Sequence, residues 1–279
     1  MQQSITEAKV SKLNEMCRQK RIDLVKLLHS IQTGHSGGSL SVCEILAALY
    51  FDVANVDPRN PKWEGRDRIV LTKGHAAPML YLMLAEAGFF VKKDLTSLRQ
   101  IGSHLQGHPC ANSTPGVEIS SGPLGIGLSA AAGIAMSLRL DKNPATVYAI
   151  LGDGELNEGT VWEACMGAAK FQLDNLVCIV DVNRVQLDGT CDEIMPMFDL
   201  SLKFKAFGFE VLECDGHDIA ALCDSLRKAK AVKGNPAVVL ANTVKGKGVS
   251  FMEGKNTWHG SPIGSDHLEQ AMKDLGGEA

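Results

Sequence analysis

Short, densely apolar runs alternate along this chain with longer stretches whose apolar positions recur every three or four residues. That alternation predicts its elements. The runs at residues 68–72, 146–151, 176–180, 209–214 and 237–242 are too short for stable helices and read as strands. Between them, residues 5–32 carry Val10, Leu13, Cys17, Leu24, Val25, Leu28 and Ile31 at helical spacing, with Gly34 as a stop. Further helices are predicted at 77–87, 128–140 and 218–232, with a short closing helix beyond residue 262. Residues 34–38 read as a glycine-rich loop, and a helix is expected to begin near Ser41, which has capping-box spacing to Glu44. Asn60-Pro61 breaks the chain, and 102–123 and 243–262 read as loops rich in Gly, Pro, Ser and His.

Strands alternating with helices at this spacing imply an α/β fold, a doubly wound, mostly parallel sheet flanked by helices. No repeat or linker demands a second unit, so residues 1–279 are expected to form a single domain. Long structureless loops in such a domain tend to be functional. In an open α/β sheet, ligands gather outside the carboxyl ends of the strands.

Composition narrows the function without choosing it. The 279 residues are 22% charged with a net charge of −4, which excludes a strong electrostatic footprint for nucleic acid or an anionic membrane. The weakly polar run at 124–138 is interrupted by Gly and Ser and falls short of a membrane span. Eight scattered cysteines without a C-x-x-C pair match a reducing cytoplasm, and the first thirty residues lack the apolar core of a signal peptide. Small-molecule chemistry is expected.

The chemistry centres on residues 152–183. Gly152-Asp153-Gly154 follows one predicted strand, and Asn183 follows the next, after an interval that fits one helix, a return loop and a strand. The two glycines let a phosphate approach the backbone at a helix N-terminus, which carries roughly half an elementary charge. Asp153 supplies a hard anionic oxygen, Asn183 a neutral one, and the backbone carbonyl of Val185 a third, a set that suits magnesium. Taken alone, Gly-Asp-Gly is more often a tight turn.

Four of the eight histidines, His35, His75, His108 and His259, abut a glycine in a predicted loop, where an imidazole can reach a ligand. Zinc is the rival explanation, but these four lack ligand-pair spacing and only Cys110 lies near one of them. His29 and His104 read as structural, and His217 as a cap of the helix after it. Lys245 and Lys247 read more readily as a solvated glycine-rich turn than as ligands of an anionic substrate.

Gly-Asp-Gly followed at this interval by Asn resembles the thiamine diphosphate binding motif, and the surrounding Gly152-Asp153-Gly154-Glu155-Leu156-Asn157-Glu158-Gly159 resembles transketolase. The likeness extends over nearly the whole chain. Gly34-His35-Ser36-Gly37-Gly38 matches the family's first histidine loop, with Ser36 where proline is usual. Lys73-Gly74-His75, Gly107-His108-Pro109 and Trp258-His259-Gly260 match the others, and Gly122-Pro123-Leu124-Gly125 matches the cofactor loop.

The resemblance implies thiamine diphosphate and magnesium as cofactors, with calcium or manganese as substitutes. It places His35, His75, His108 and His259 around the reacting carbon and the donor sugar. It assigns Gly122, Pro123, Leu124, Gly152, Asp153, Gly154, Glu158 and Asn183, with His75 and His259, to cofactor binding, and Asp153, Asn183 and Val185 to the metal. Glu158 resembles a glutamate near the aminopyrimidine and the subunit interface. Family members of the usual kind continue into a pyrimidine-binding domain and a C-terminal domain. The resemblance therefore implies a separate partner chain supplying them, in an α2β2 assembly working on sugar phosphates of the pentose phosphate pathway. A thiamine diphosphate enzyme chain acting on keto acids and a non-catalytic cofactor-binding chain stay open as alternatives.

Overall fold

The computed structural model describes residues 4–278. In chain order its elements are α1 (Glu7–Ile31), α2 (Ser36–Ser41), α3 (Cys43–Ala48), β1 (Arg68–Leu71), α4 (Ala77–Ala87), α5 (Ile126–Leu140), β2 (Val147–Gly152) and α6 (Gly159–Lys170). They continue with β3 (Leu176–Val182), α7 (Cys191–Ile194), α8 (Leu200–Ala206), β4 (Glu210–Asp215), α9 (Ile219–Ala231), β5 (Ala237–Asn242) and α10 (Ser265–Leu275). The five strands pair in the order β1-β2-β3-β5-β4, and every pairing is parallel. The expected parallel α/β sheet is therefore present.

β2 and β3 are buried along their whole length, as strands covered on both faces must be. Their side chains alternate between two cores. Tyr148, Ile150, Val177 and Ile179 pack with α1, α3, α4 and α9, whereas Ala149, Leu151, Cys178 and Val180 pack with α5 and α6. The edge strand β4 carries Glu210, Glu213 and Asp215 and is only partly covered, a charged edge that resists pairing with another chain.

Register positions the site. Gly152 pairs with Asp181 and Val182 with Asn242, so β2, β3 and β5 end at one level. β1 ends beside them, its Leu71 opposite Ile150, and Lys73-Gly74-His75 leaves the sheet at the same edge.

The first histidine loop departs from expectation. Residues 36–41 form α2, not a loop, and the helix does not start at Ser41. The glycines here serve close packing rather than flexibility: a Cβ on Gly37 would lie 3.0 Å from the Trp258 carbonyl, and one on Gly38 3.2 Å from His75 Nε2. Ser41 caps nothing. Its hydroxyl donates to Asp181 Oδ2 at 2.6 Å, and Glu44 turns instead to Arg21.

Candidate active site

The carboxyl edge of the sheet opens into a cavity of about 160 Å³ lined by Lys73, His75, Leu124, Gly152, Asp153, Gly154, Asn183, Val185, Lys245 and His259, among others. The chain after β2 is not a helix N-terminus at once. A short 3-10 turn spans Gly154–Asn157 before α6 begins. Asp153 caps that turn, its Oδ1 accepting from Gly154 N at 2.9 Å and its Oδ2 from Arg184 N. Burial and the neighbouring Asp181 push the Asp153 carboxyl up to about 6, because the backbone donors do not offset them.

Asn183 is aimed by Asp181. Its Nδ2 donates to Asp181 Oδ2 at 3.2 Å, which leaves Oδ1 to accept from Val185 N at 3.2 Å. Asp181 is fully buried and also accepts from Lys73, Ser41 and Thr243. Burial opposes its ionisation, but Lys73 and the hydroxyls outweigh that and hold it below the usual carboxylate range. Asp153, Asn183 and the Val185 carbonyl thus form one patch of hard oxygen donors, the chemistry that fits a divalent cation with water and phosphate filling its remaining positions.

Two lysines flank this patch. Lys73 also donates to the Gly38 carbonyl at 3.1 Å. Lys245 Nζ lies 2.9 Å from Val185 O, 3.3 Å from Gln186 O and 2.9 Å from His259 Nδ1. Burial, with Lys73 nearby, lowers Lys245 to about 8. Lys245 is 2% exposed, which corrects its reading as a solvated turn.

The four loop histidines converge. His35 lies 5.4 Å from His75, 5.3 Å from His259 and 6.3 Å from His108 between ring centroids, and His75 and His259 are 5.0 Å apart. All four are shifted toward the neutral form, chiefly by burial. His35 falls to about 4, with Arg99 contributing, and His259 to about 3, with Lys245 contributing. His75 and His108 are lowered too, with Lys73 and Arg99 as the respective next causes. Because an ammonium can only donate, His259 Nδ1 accepts from Lys245, and its proton sits on Nε2. The cluster is a set of uncharged hydrogen-bonding groups beside an oxygen-rich floor in which lysines and carboxylates alternate.

Residues 12–279 match the family described as transketolase, thiamine diphosphate binding domain. The chain belongs to the transketolase family. It is 44% identical over 242 residues to the 6-deoxy-6-sulfo-D-fructose transketolase subunit SqwG of Clostridium sp. (strain MSTE9), covering 87% of this chain and 88% of that one. To one of the named subunits of apulose-4-phosphate transketolase from Phocaeicola vulgatus it is 38% identical over 266 residues, covering 95% and 94%. Against human transketolase the identity is 38%, across 96% of this chain but only 43% of that protein. The crystal structure of Campylobacter jejuni transketolase superposes with a TM-score of 0.88 at 33% identity, covering 98% of this chain and 44% of that one. The chain therefore spans less than half of the full-length transketolases and nearly the whole of relatives that are themselves named subunits. No helix among the described residues is long and apolar enough to cross a membrane.

Against the transketolase motifs, the remaining predicted residues fall at the rim. Gly122 packs beside His108 and close to Gly74, and the exposed Pro123 and Leu124 follow it. Glu158 is exposed at the start of α6, against Gly125. His29 and His104 do not line the cavity: His29 Nδ1 lies 2.7 Å from Ile263 O, and His104 Nε2 lies 3.1 Å from Asp94. His217 caps nothing, since Asp218 accepts from the first amides of α9. Its ring instead joins Glu44 to the Val244 amide.

Three residues at or behind the cavity escaped the motif reading. Lys73 stood inside the Lys73-Gly74-His75 motif and Asp181 just beyond the predicted strand at 176–180, both without a role, yet a charge at the end of an apolar strand must find a partner. Glu155 is buried and accepts from Thr72 Oγ1 at 2.7 Å, Gly125 N at 3.0 Å and Gly152 N at 3.2 Å, tying the exit of β1 and the Gly122–Gly125 loop to the end of β2.

Proposed function

We propose that this chain is the diphosphate-binding half of a thiamine diphosphate- and magnesium-dependent transketolase, transferring a two-carbon ketol unit from a ketose to an aldose, in both cases sugars or their phosphates. Its domain is the family's N-terminal one. The pyrimidine-binding and C-terminal domains lie on a separate chain, in an α2β2 assembly in the cytoplasm, where its eight free cysteines suit a reducing environment. One observation carries the reading: His75 and His259, two members of a cluster of four neutral imidazoles, meet a hard-oxygen patch at one cavity in a chain that covers 43% of human transketolase.

In this reading Asp153, Asn183 and the Val185 carbonyl hold the metal, with calcium or manganese able to replace magnesium. Gly152 and Gly154 leave the backbone open to the diphosphate, and Lys245 supplies positive charge beside it. The cofactor supplies the means of cleaving and re-forming the carbon–carbon bond. His35, His75, His108 and His259 donate to and accept from the donor's carbonyl and hydroxyl oxygens, and neutral imidazole suits both roles. The relatives named for 6-deoxy-6-sulfo-D-fructose and apulose-4-phosphate make modified ketoses the donors to try first.

The test is to purify the chain alone and with its candidate partner and assay ketol transfer with thiamine diphosphate and magnesium. Transfer only in the mixture supports the proposal. Full activity of the chain alone, turnover of keto acids instead of ketoses, or cofactor binding without turnover in every mixture refutes it.

A further inference from the structure

The segment from Thr243 to Gly260 brings Lys245 and His259 into the site, and its entry is gripped from behind by a relay of buried polar groups. Arg21 on α1 holds Glu44 on α3 through two hydrogen bonds, Nη1 to Oε1 at 2.6 Å and Nη2 to Oε2 at 2.7 Å. Glu44 Oε2 lies 2.9 Å from Nδ1 of His217, in the turn between β4 and α9, and the Val244 amide donates to His217 Nε2 at 2.9 Å. Side-chain exposures of 8%, 7% and 12% for Arg21, Glu44 and His217 keep water from replacing these partners.

The relay fixes the imidazole's tautomer. The Val244 amide needs a lone pair on Nε2, so the ring proton sits on Nδ1 and is donated to Glu44, a carboxylate already anchored by Arg21. Orientation thus passes from α1 through α3 and the β4–α9 turn to a single backbone amide. Val244 immediately precedes Lys245, whose Nζ is 2.9 Å from both Val185 O and His259 Nδ1. The next residue, Gly246, donates its amide to the Gly37 carbonyl at 3.0 Å. Gly246 holds φ of +80°, and a Cβ there would lie 2.5 Å from Met252 O, so this turn has little freedom to compensate for a shifted entry.

We infer that His217 is a positioning residue for the active site: through its Nε2 lone pair it fixes the Val244 amide and so sets the place of Lys245 and His259. The functional meaning of that placement rests on the reading of the site given above. Glutamine and asparagine divide the ring's two contacts. His217→Gln presents an acceptor where Nε2 stood, whereas His217→Asn retains a donor toward Glu44 and leaves the Val244 amide without a partner.

The experiment uses the full chain and both variants, reading amide hydrogen exchange across 244–259, affinity for magnesium with inorganic diphosphate, and the thermal midpoint. A positioning role makes exchange in that segment and the diphosphate dissociation constant rise about tenfold or more in His217→Asn, the effect of one lost buried hydrogen bond. His217→Gln stays within a few-fold of wild type. A role limited to satisfying Glu44 reverses the order of the two variants, and equal behaviour of the two overturns the inference as well. Should His217→Asn fail to fold, the imidazole ¹⁵N spectrum of the wild-type chain decides: a protonated Nδ1 and bare Nε2 support the relay, and a proton on Nε2 overturns it. Failure of the wild type to bind magnesium and diphosphate would count against the proposed function, while the exchange data would still decide the role of His217.

Discussion

Breaking the Lys73–Asp181 pair is expected to cost more when the carboxylate goes than when the ammonium goes. Lys73 is 1% exposed and Asp181 is fully buried, so neither charge can fall back on water. At an effective dielectric constant of about 20, two charges in contact gain about 4 kcal/mol, and removing one partner of a buried pair typically costs about 3–5 kcal/mol. In Lys73→Met, Asp181 keeps donors from Ser41, Thr243 and Asn183, which places the loss near about 3 kcal/mol. In Asp181→Leu, Lys73 keeps only the Gly38 carbonyl, which places it near about 5 kcal/mol. The double variant should cost less than the sum of the singles by about 2–3 kcal/mol, because no charge is then stranded. Urea unfolding at pH 7 for wild type, both singles and the double closes the cycle. Singles within about 1 kcal/mol of wild type, or a strictly additive double, would refute the reasoning.

Asp153→Ala is expected to abolish metal-dependent binding of thiamine diphosphate while leaving the chain folded, and calorimetric titration giving wild-type affinity would contradict the metal assignment. His259→Ala should spare cofactor affinity within several-fold and lower kcat of the reconstituted enzyme by about 10²–10⁴, the range of a lost acid–base group. Burial would raise the Glu44 carboxyl, but Arg21 and His217 hold it down to about 2. Its folded pKa is therefore depressed, and the sign follows: its contribution is present above the unfolded value of 4.5 and lost as pH falls toward 2, at most about 3 kcal/mol. The stability gap between wild type and Glu44→Gln should narrow from pH 5 to pH 3, and a gap independent of pH would exclude this linkage.

Much of this arrangement was legible in the chain because strong local signals agreed with one another. Five short apolar runs became five parallel strands, and Gly152-Asp153-Gly154 and Asn183 came together because the strands before them are neighbours in register. What escaped was long-range polar pairing. Glycines at 37 and 38 look like a loop in one dimension, and only the nearness of His75 and Trp258 shows that they serve contact inside a helix. His217 sits one residue before a good N-cap, so its distant partners, Glu44 and Val244, left no mark on the local pattern. Lys245 lies in a glycine-rich stretch that is solvated in most proteins, yet two backbone carbonyls and an imidazole bury it here. A spacing rule finds groups that share a turn or a strand end. It does not find groups that meet because separate elements pack.

Charge balance at the floor of the cavity carries the reading one step further. Asp153 and Asp181 bring two carboxylates, and Lys73 and Lys245 bring two ammonium groups, so the patch has no net positive charge to offer a diphosphate. Lys73 is committed to Asp181, and Lys245 is lowered to about 8 by burial with Lys73 nearby. A diphosphate entering this floor without a cation would face the Asp153 carboxylate uncompensated, whereas a divalent cation on the Asp153, Asn183 and Val185 oxygens reverses the sign of the field. Metal and diphosphate should therefore bind as a coupled pair, each raising the affinity for the other by the same factor. Titrating inorganic diphosphate at several magnesium concentrations, and magnesium at several diphosphate concentrations, measures that factor from both directions. Affinities independent of the second ligand would mean that the lysines alone hold the phosphate and that Asp153 has a different role.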